Sequence, residues 1–188
     1  MILPIYTYGQ PVLREVAEEI APDYPELQQL IDDMFITMDK SDGVGLAAPQ
    51  IGLSIRLVVI DLTPLAEDDE RFKDYRKVLI NPYIEEFYEE DQDVMEEGCL
   101  SLPGISESVQ RPTKIRISYQ DVNFEEHEEI VEGFAARCMQ HELDHLEGVL
   151  FVDRIAPLRK TMIKNKLAQM AKGKVRTHYK VKPIRGRR

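Results

Sequence analysis

The sequence predicts an α+β domain in which mostly antiparallel sheets pack around a central helix that carries two histidines, with a further helix near the C-terminus. Short β-branched or alternating apolar segments indicate strands. An amphipathic segment before residue 43 has the period of a helix. A third observation is the H-E-x-x-H pattern, which follows Gly133 and precedes Gly148.

The first half of the chain contains one predicted helix and one predicted buried strand. Apolar residues recur at spacings of three and four between Leu27 and Met38, which predicts a helix that begins near Pro25 and ends before Gly43. A glycine-interrupted loop, 43–52, follows. The β-branched run Ile55–Leu62 then predicts a buried strand. The polar residues 63–76 are expected to form a loop.

The second half is predicted to alternate strands with helices. A helix is expected from Gly133 to Gly148, since glycine is a common helix stop, and another over Pro157–Lys172. The alternation of apolar and polar residues indicates the strands. These are Val78–Ile80, Tyr83–Tyr88, Lys114–Gln120 and Glu128–Val131.

The length and composition of the chain limit the classes of protein to which it can belong. The 188 residues are enough for one domain with its own hydrophobic core. No apolar run approaches the ~20 residues that a membrane span needs. Residues 1–20 lack the pattern of a signal or transit peptide, so we expect a cytoplasmic protein. Cys99 and Cys138 are too few for a disulfide framework and suit a reducing compartment.

The segment 140–145 carries the first chemical signal. On a helix, His141 and His145 lie only about 40° apart and can reach one metal ion. Glu142 falls to one side of the pair, where it can reach a water molecule rather than the metal. Asp144 falls at a similar angle on the other side, so angular geometry alone does not assign a general base. The alternative is that both histidines are ordinary structural residues.

A third ligand must come from another segment, because the only later histidine is His178 in the basic tail. The best candidate is Cys99, where Gly98 allows a tight backbone path. Two histidines and one cysteine leave a tetrahedral position open for water, as in catalytic sites. The alternative for Cys99 is a buried apolar side chain. We expect Cys138 to line the site without binding metal.

Three segments together resemble the signature motifs of the peptide deformylases: GVGLAAPQIG at 43–52, EEGCLSLPG at 96–104 and QHELDHLEG at 140–148. The resemblance extends loosely from Met1 to about Ala171. It implies a metal-dependent hydrolase that removes the formyl group from the N-terminal methionine of nascent polypeptides. It also implies one ferrous ion (Fe2+) per chain, with Zn2+, Ni2+ or Co2+ as substitutes.

The resemblance also assigns roles to residues. It makes Cys99, His141 and His145 the metal ligands and Glu142 the acid/base residue. Gln50 and the backbone amide of Leu100 would stabilise the oxyanion. The substrate-side residues would be Val44, Gly45, Glu97, Arg137 and Cys138, with the main chain around Val44 and Gly45 pairing with the substrate as an added strand.

Of two further positions, one departs from the residue found in some family members and the other matches it. Ser106 stands where some bacterial relatives have an arginine, which puts the substrate contacts of that loop in doubt. Arg111 matches an arginine common in the family, and we hypothesise a buried pair between Arg111 and Asp144. Two other functions stay open, namely a zinc endopeptidase and a metal-stabilised binding module. A structural metal site would need four protein ligands, and only three candidates are found.

Charge is strongly segregated along the chain. All 34 acidic residues lie in 1–158, whereas residues 159–188 hold 12 of the 24 lysines and arginines. Segregation of this kind is typical of polyanion-binding or disordered extensions. We therefore expect a catalytic domain over 1–173 and a flexible basic tail over 174–188. Family resemblance suggests that the C-terminal region docks on the ribosome near the exit tunnel.

Overall fold

A computed structural model describes residues 1–184 of the chain. Within that range it contains three α-helices and nine strands, which confirms the predicted α+β class. The helices are α1 (Leu27–Lys40), α2 (Gly133–Leu146) and α3 (Pro157–Ala171). The strands are β1 (Ile5–Tyr6), β2 (Gly45–Ala47), β3 (Leu57–Asp61), β4 (Arg76–Phe87), β5 (Gln92–Gly98), β6 (Ser106–Pro112), β7 (Lys114–Gln120), β8 (Glu126–Glu132) and β9 (Val181–Lys182).

The main sheet has five antiparallel strands in the order β2-β3-β4-β7-β8. The two strands predicted at 78–80 and 83–88 are one strand, β4, with register shifts against β7. Asn81 explains the interruption in the pattern. It has a positive φ of 49°, and its side chain bonds to both backbone polar groups of Ile20. A local kink therefore breaks the alternation without ending the strand.

The main sheet is covered on its two faces by different helices. Val58 and Ile60 of β3 belong to the apolar cluster around α2, whereas Leu57 and Val59 belong to the cluster around α1. This division follows from the two-residue period of a strand. It also explains why β3 is apolar at nearly every position.

Helix α2 is the centre of the fold, as predicted. Every residue from Ala135 to Leu146 is buried. One face packs on the main sheet, and the polar residues of the helix are buried as well. Buried polar groups must be hydrogen-bonded, paired or given a chemical role. The helix ends before Gly148, where a side chain would collide with the backbone of Arg14 at 2.6 Å.

A second antiparallel pair, β5–β6, was not predicted from the sequence. Gln92–Gly98 pairs along its full length with Ser106–Pro112. The buried residue of β5 is Glu97, while Val94 and Met95 are exposed. The strand thus reverses the usual pattern of apolar-inside and polar-outside residues, which hides it from sequence analysis.

The segment after α3, expected from its charge to be a flexible arm, contacts the body of the domain as far as residue 182. The chain turns at Gly173, which has a φ of 82°, and returns to the body of the domain. There β9 pairs in parallel with β1. The pairing and packing contacts are long-range, and the charge of the segment carries no signal for them. Residues 185–188, the end of the predicted tail, lie outside the described residues.

No helix within residues 1–184 combines the length and hydropathy that a bilayer span requires.

Candidate metal centre

Helix α2 and the end of β5 deliver the three predicted metal ligands to one point. His141 and His145 lie on successive turns, with ring centroids 5.2 Å apart. Cys99 follows β5 directly, and its Sγ lies 3.3 Å from His145 Nε2. The ligand atoms of the three residues all lie within 4.8 Å of one another. A single metal ion can therefore contact all three.

The donor set fits a catalytic metal. His141 Nδ1 lies 2.9 Å from Glu97 Oε1, which orients the ring and leaves Nε2 for a metal. Within residues 1–184, no fourth histidine, cysteine or carboxylate joins this group. A set of one thiolate and two imidazoles leaves a coordination position open, unlike a structural zinc site.

Cys138 lies beside the ligands without belonging to their set. It is 6% exposed and packs in the apolar cluster around α2. Burial raises its pKa well above the usual value, and the neighbouring carboxylates of Glu142 and Glu97 raise it further. Cys138 is therefore a neutral thiol, whereas metal ligation requires a thiolate.

The protonation of the two histidines is set by their neighbours. Burial lowers the pKa of His145 well below its usual value, as does the charge of His141, so its imidazole is neutral. Burial would lower the pKa of His141 too, but hydrogen bonds to Cys99 and Glu97 outweigh it and raise that pKa. Metal binding at His141 would therefore compete with its protonation.

Glu142 lies next to the ligand set with a carboxylate that is poorly solvated. Its side chain is buried, and Oε2 has no hydrogen-bond partner among the described residues. Burial raises its pKa to about 7, and the charge of Glu97 acts in the same direction. A carboxyl group with a pKa near neutrality can both accept and donate a proton.

Gln50 points its amide nitrogen toward the ligand set. The backbone N–H of Ala47 donates to Gln50 Oε1 at 2.9 Å, which fixes the orientation of the amide. Gln50 Nε2 then lies 3.4 Å from Cys99 Sγ and 3.3 Å from Ser101 Oγ. The sequence did not single out Ser101, because a serine in a loop carries no distinctive signal.

A buried ionic network lies behind His141. Both carboxylate oxygens of Glu97 accept from Arg111, at 2.6 and 2.9 Å, and Arg137 donates to the same group at 2.6 Å. Burial alone would raise the pKa of Glu97, but Arg111 and His141 lower it to about 2. Glu97 is thus a charged partner that orients His141.

The hypothesised pair between Arg111 and Asp144 is present, with Nη1 2.9 Å from Oδ2. Arg154 also binds Asp144 through a two-pronged contact at 2.6 and 2.7 Å. Arg154 was not predicted as a site residue, because its partner is identified only by the folded structure. Asp144 therefore faces arginines, which supports the structural role assigned to it.

A cavity of about 720 Å³ opens beside these residues. It is lined by ten of the eleven predicted site residues, and His145 is the exception. It is also lined by residues that lie outside the three motifs and were not predicted as site residues. They include Phe134 and Ile105 in the apolar part and Arg176, Thr177, His178 and Tyr179 at the mouth.

The chain is similar in sequence and in fold to known proteins of one family. A sequence model of the polypeptide deformylase family matches residues 2–161. The chain belongs to the polypeptide deformylase family. A peptide deformylase of Christiangramia forsetii is 48% identical over 189 residues, which cover 97% of this chain and 96% of that protein. Only a few residues are left unaligned, so the similarity continues beyond Gly173, further than the motifs suggested.

Solved deformylase structures share the fold. A Legionella pneumophila deformylase has a TM-score of 0.79 at 39% identity, covering 94% of this chain and 99% of that one. A Met-Ala-Ser-bound Acinetobacter baumannii deformylase has a TM-score of 0.74 at 36% identity, covering 82% and 99%. This deformylase is a metal-dependent hydrolase that removes the N-formyl group from the N-terminal methionine of nascent polypeptides and releases formate.

Proposed function

We propose that the deformylase binds one Fe2+ per chain through Cys99, His141 and His145, with Zn2+, Ni2+ or Co2+ as substitutes. The support is the convergence of one soft thiolate and two imidazoles within 4.8 Å. When bound, such a metal supplies Lewis acidity, which polarises the formyl group and makes water a stronger nucleophile. We also propose a cytoplasmic location, where both cysteines stay reduced.

Glu142 carries the proton transfers in this proposal. It accepts a proton from the attacking water and later donates it to the amine that leaves as the new N-terminus. The observation that carries this assignment is its buried carboxylate beside the three ligands, with a pKa of about 7. Asp144 is less suitable, because it already pairs with Arg111 and Arg154.

Two donors stabilise the charge that develops on the formyl oxygen. Gln50 Nε2 is held toward Cys99 by the Ala47 amide. The backbone N–H of Leu100 follows the cysteine directly and would be the second donor. Such donors act on the transition state more than on the substrate, and losing one typically lowers the rate on the order of 10²–10³-fold.

The substrate would bind as an added strand along β2. This strand lies at the edge of the main sheet, and Val44 and Gly45 line the cavity. An extended peptide can pair with such an edge. The methionine side chain would enter the apolar part of the cavity beside Cys138 and the aliphatic stem of Arg137. The Met-Ala-Ser in the Acinetobacter structure is consistent with peptide binding at this site.

Glu97 and Arg137 contribute indirectly to substrate binding in this proposal. Both line the cavity, but their charged groups are bonded to each other at 2.6 Å. Arg137 also donates to the carbonyl of Val109 at 3.0 Å. They therefore fix the wall of the cavity and the orientation of His141, and no free charge is left to bind the substrate.

A formate-release assay on anaerobically purified protein tests the function. We expect turnover of formyl-Met-Ala and no cleavage of casein. A zinc endopeptidase would show the reverse. A binding module would turn over neither substrate although it would hold its metal.

We further propose that the basic C-terminal region binds ribosomal RNA near the exit tunnel. Lys164 and Lys166 of α3 are exposed and belong to the cationic region 159–188. Binding to a polyanion releases counterions and weakens steeply as salt rises. Lys164→Gln with Lys166→Gln should reduce ribosome co-sedimentation at low salt, whereas the control, Lys40→Gln with Lys73→Gln, should not. Equal co-sedimentation of both double variants would contradict the proposal.

A further inference from the structure

The residues 174–184 form what we call the C-terminal strap. Val175, like Cys99 and Leu167, packs against the apolar cluster that contains Phe151 and Ile163. The hydroxyl of Tyr179 donates to the backbone carbonyl of Leu100 at 2.8 Å. β9 then pairs with β1. The strap is therefore fixed at three separate places against the body of the domain, and the bond from Tyr179 lies next to Cys99.

The strap also forms part of the wall of the substrate cavity. Residues 176–179 line the cavity together with the catalytic residues. At the mouth, His178 Nε2 lies 3.1 Å from Asp42 Oδ2, which connects the strap to the loop that precedes β2. A peptide bound along β2 with its formyl group at the metal ligands would therefore pass the strap with its following residues.

Arg176 is the residue of the strap that can interact most freely with a substrate. It is exposed, lines the cavity and forms no ion pair within residues 1–184. The other nitrogen-bearing side chain at the mouth, His178, already contacts Asp42. The positive charge of Arg176 is therefore available to a substrate side chain.

We propose that the C-terminal strap determines specificity for the substrate residues after methionine, and that Arg176 favours acidic side chains there. This inference rests on the proposed direction of the substrate along β2. Ion pairs at exposed positions are weak and screened by salt. The expected preference is accordingly moderate, about three- to tenfold in kcat/KM at low salt.

The test compares formyl-Met-Ala-Glu with formyl-Met-Ala-Lys, and formyl-Met-Glu with formyl-Met-Lys, on the full-length, metal-loaded protein. In the wild type the acidic member of at least one pair should have the higher kcat/KM. Arg176→Glu should remove or reverse that preference. The matched control is Lys180→Glu, which makes the same charge change on the same strap at an exposed residue that does not line the cavity.

The substrate formyl-Met-Ala, whose side chains are uncharged, separates the two proposals. If no variant, including the wild type, releases formate from it, the proposed function fails. If the wild type turns it over but Arg176→Glu leaves the acidic-to-basic ratio of kcat/KM unchanged, the strap proposal alone is overturned. An equal change of the ratio in Lys180→Glu would also overturn it, because a long-range field would then explain the preference.

Discussion

Gly45 and Glu142 lie so close together that a methyl group at position 45 would sit 2.5 Å from Glu142 Oε1 and 2.8 Å from its carboxyl carbon. Real side chains do not approach this closely, so any residue other than glycine must displace the glutamate or β2. The backbone of β2 and the carboxylate are thereby held in one arrangement, which connects the proposed substrate-binding edge with the proposed proton-transfer group.

Gly45→Ala should therefore lose activity with little loss of fold or metal. A misplacement of about 1 Å at a reacting group can cost on the order of 10²-fold in rate. The measurements are formate release, metal content and thermal unfolding. Gly98→Ala is the steric comparison, because its added carbon would meet nothing nearer than 3.7 Å. Equal losses in both variants would show that close packing on Glu142 is not the cause.

Glu142→Gln should keep its metal and lose turnover by about 10²–10⁴-fold, since the amide keeps the shape of the carboxylate but cannot accept the proton. Metal analysis and kcat on the same preparation provide the check. If metal content falls together with activity, Glu142 is a ligand. If activity stays within a few-fold of the wild type, the base is another residue.

The two cysteines should behave differently when changed to serine. Cys99→Ser should lose metal affinity, because it removes the only thiolate of the ligand set, while Cys138→Ser should retain it. The iron-loaded wild type should also lose activity in peroxide, and zinc or nickel loading should protect it. The opposite ranking of the two variants in metal content would contradict the ligand assignment.

An element of this fold is predictable from the sequence when local patterns stabilise it, and it is missed when contacts with distant residues stabilise it. The strand β7 was predicted with its observed bounds, because Ile115 and Ile117 alternate with polar residues. Helix α2 was predicted because its period and its glycines are local signals. The hairpin β5–β6 was missed because the inward residue of β5, Glu97, is charged and is stabilised by Arg111 of β6 and Arg137 of α2.

The same distinction between local signals and long-range contacts applies to the candidate metal centre. The three ligands were predicted from residue types and motif spacing, and the structure brings them together. The Arg111–Asp144 pair was hypothesised from the family resemblance, but the contact from Arg154 to Asp144 and the bond from Tyr179 to Leu100 are identified only in the folded chain. Local sequence carries no signal for such contacts. The position of the strap was missed for that reason, although its charge was evident.

Arg111→Met should destabilise the fold by about 3–5 kcal/mol, because it leaves Glu97 and Asp144 buried with fewer partners. Urea unfolding gives the free energy directly. The control is Arg116→Met, which removes ion pairs to Glu86 and Glu128 on the exposed side of the sheet and should cost far less. Similar costs for the two variants would show that the buried network contributes little to stability.

Asp153 should make the free energy of unfolding depend on pH in the acidic range. Burial would raise its pKa, but the hydrogen bond from Arg14 and the backbone N–H of Leu150 outweigh burial and lower it. A carboxyl group whose folded-state pKa lies below its unfolded value stabilises the fold above that unfolded value, roughly pH 4. This contribution is lost as pH falls through the folded-state pKa.

The stability difference between the wild type and Asp153→Asn should therefore be largest near pH 7 and shrink as pH is lowered from about 4 toward 3, because protonated aspartate and asparagine are both uncharged. Urea unfolding at a series of pH values measures it. Asp68→Asn is the control, since Asp68 is exposed and its side chain makes no hydrogen bond or ion pair within residues 1–184. A difference that stays constant from pH 7 to 3 would mean that the charge of Asp153 does not stabilise the fold and that only its shape matters.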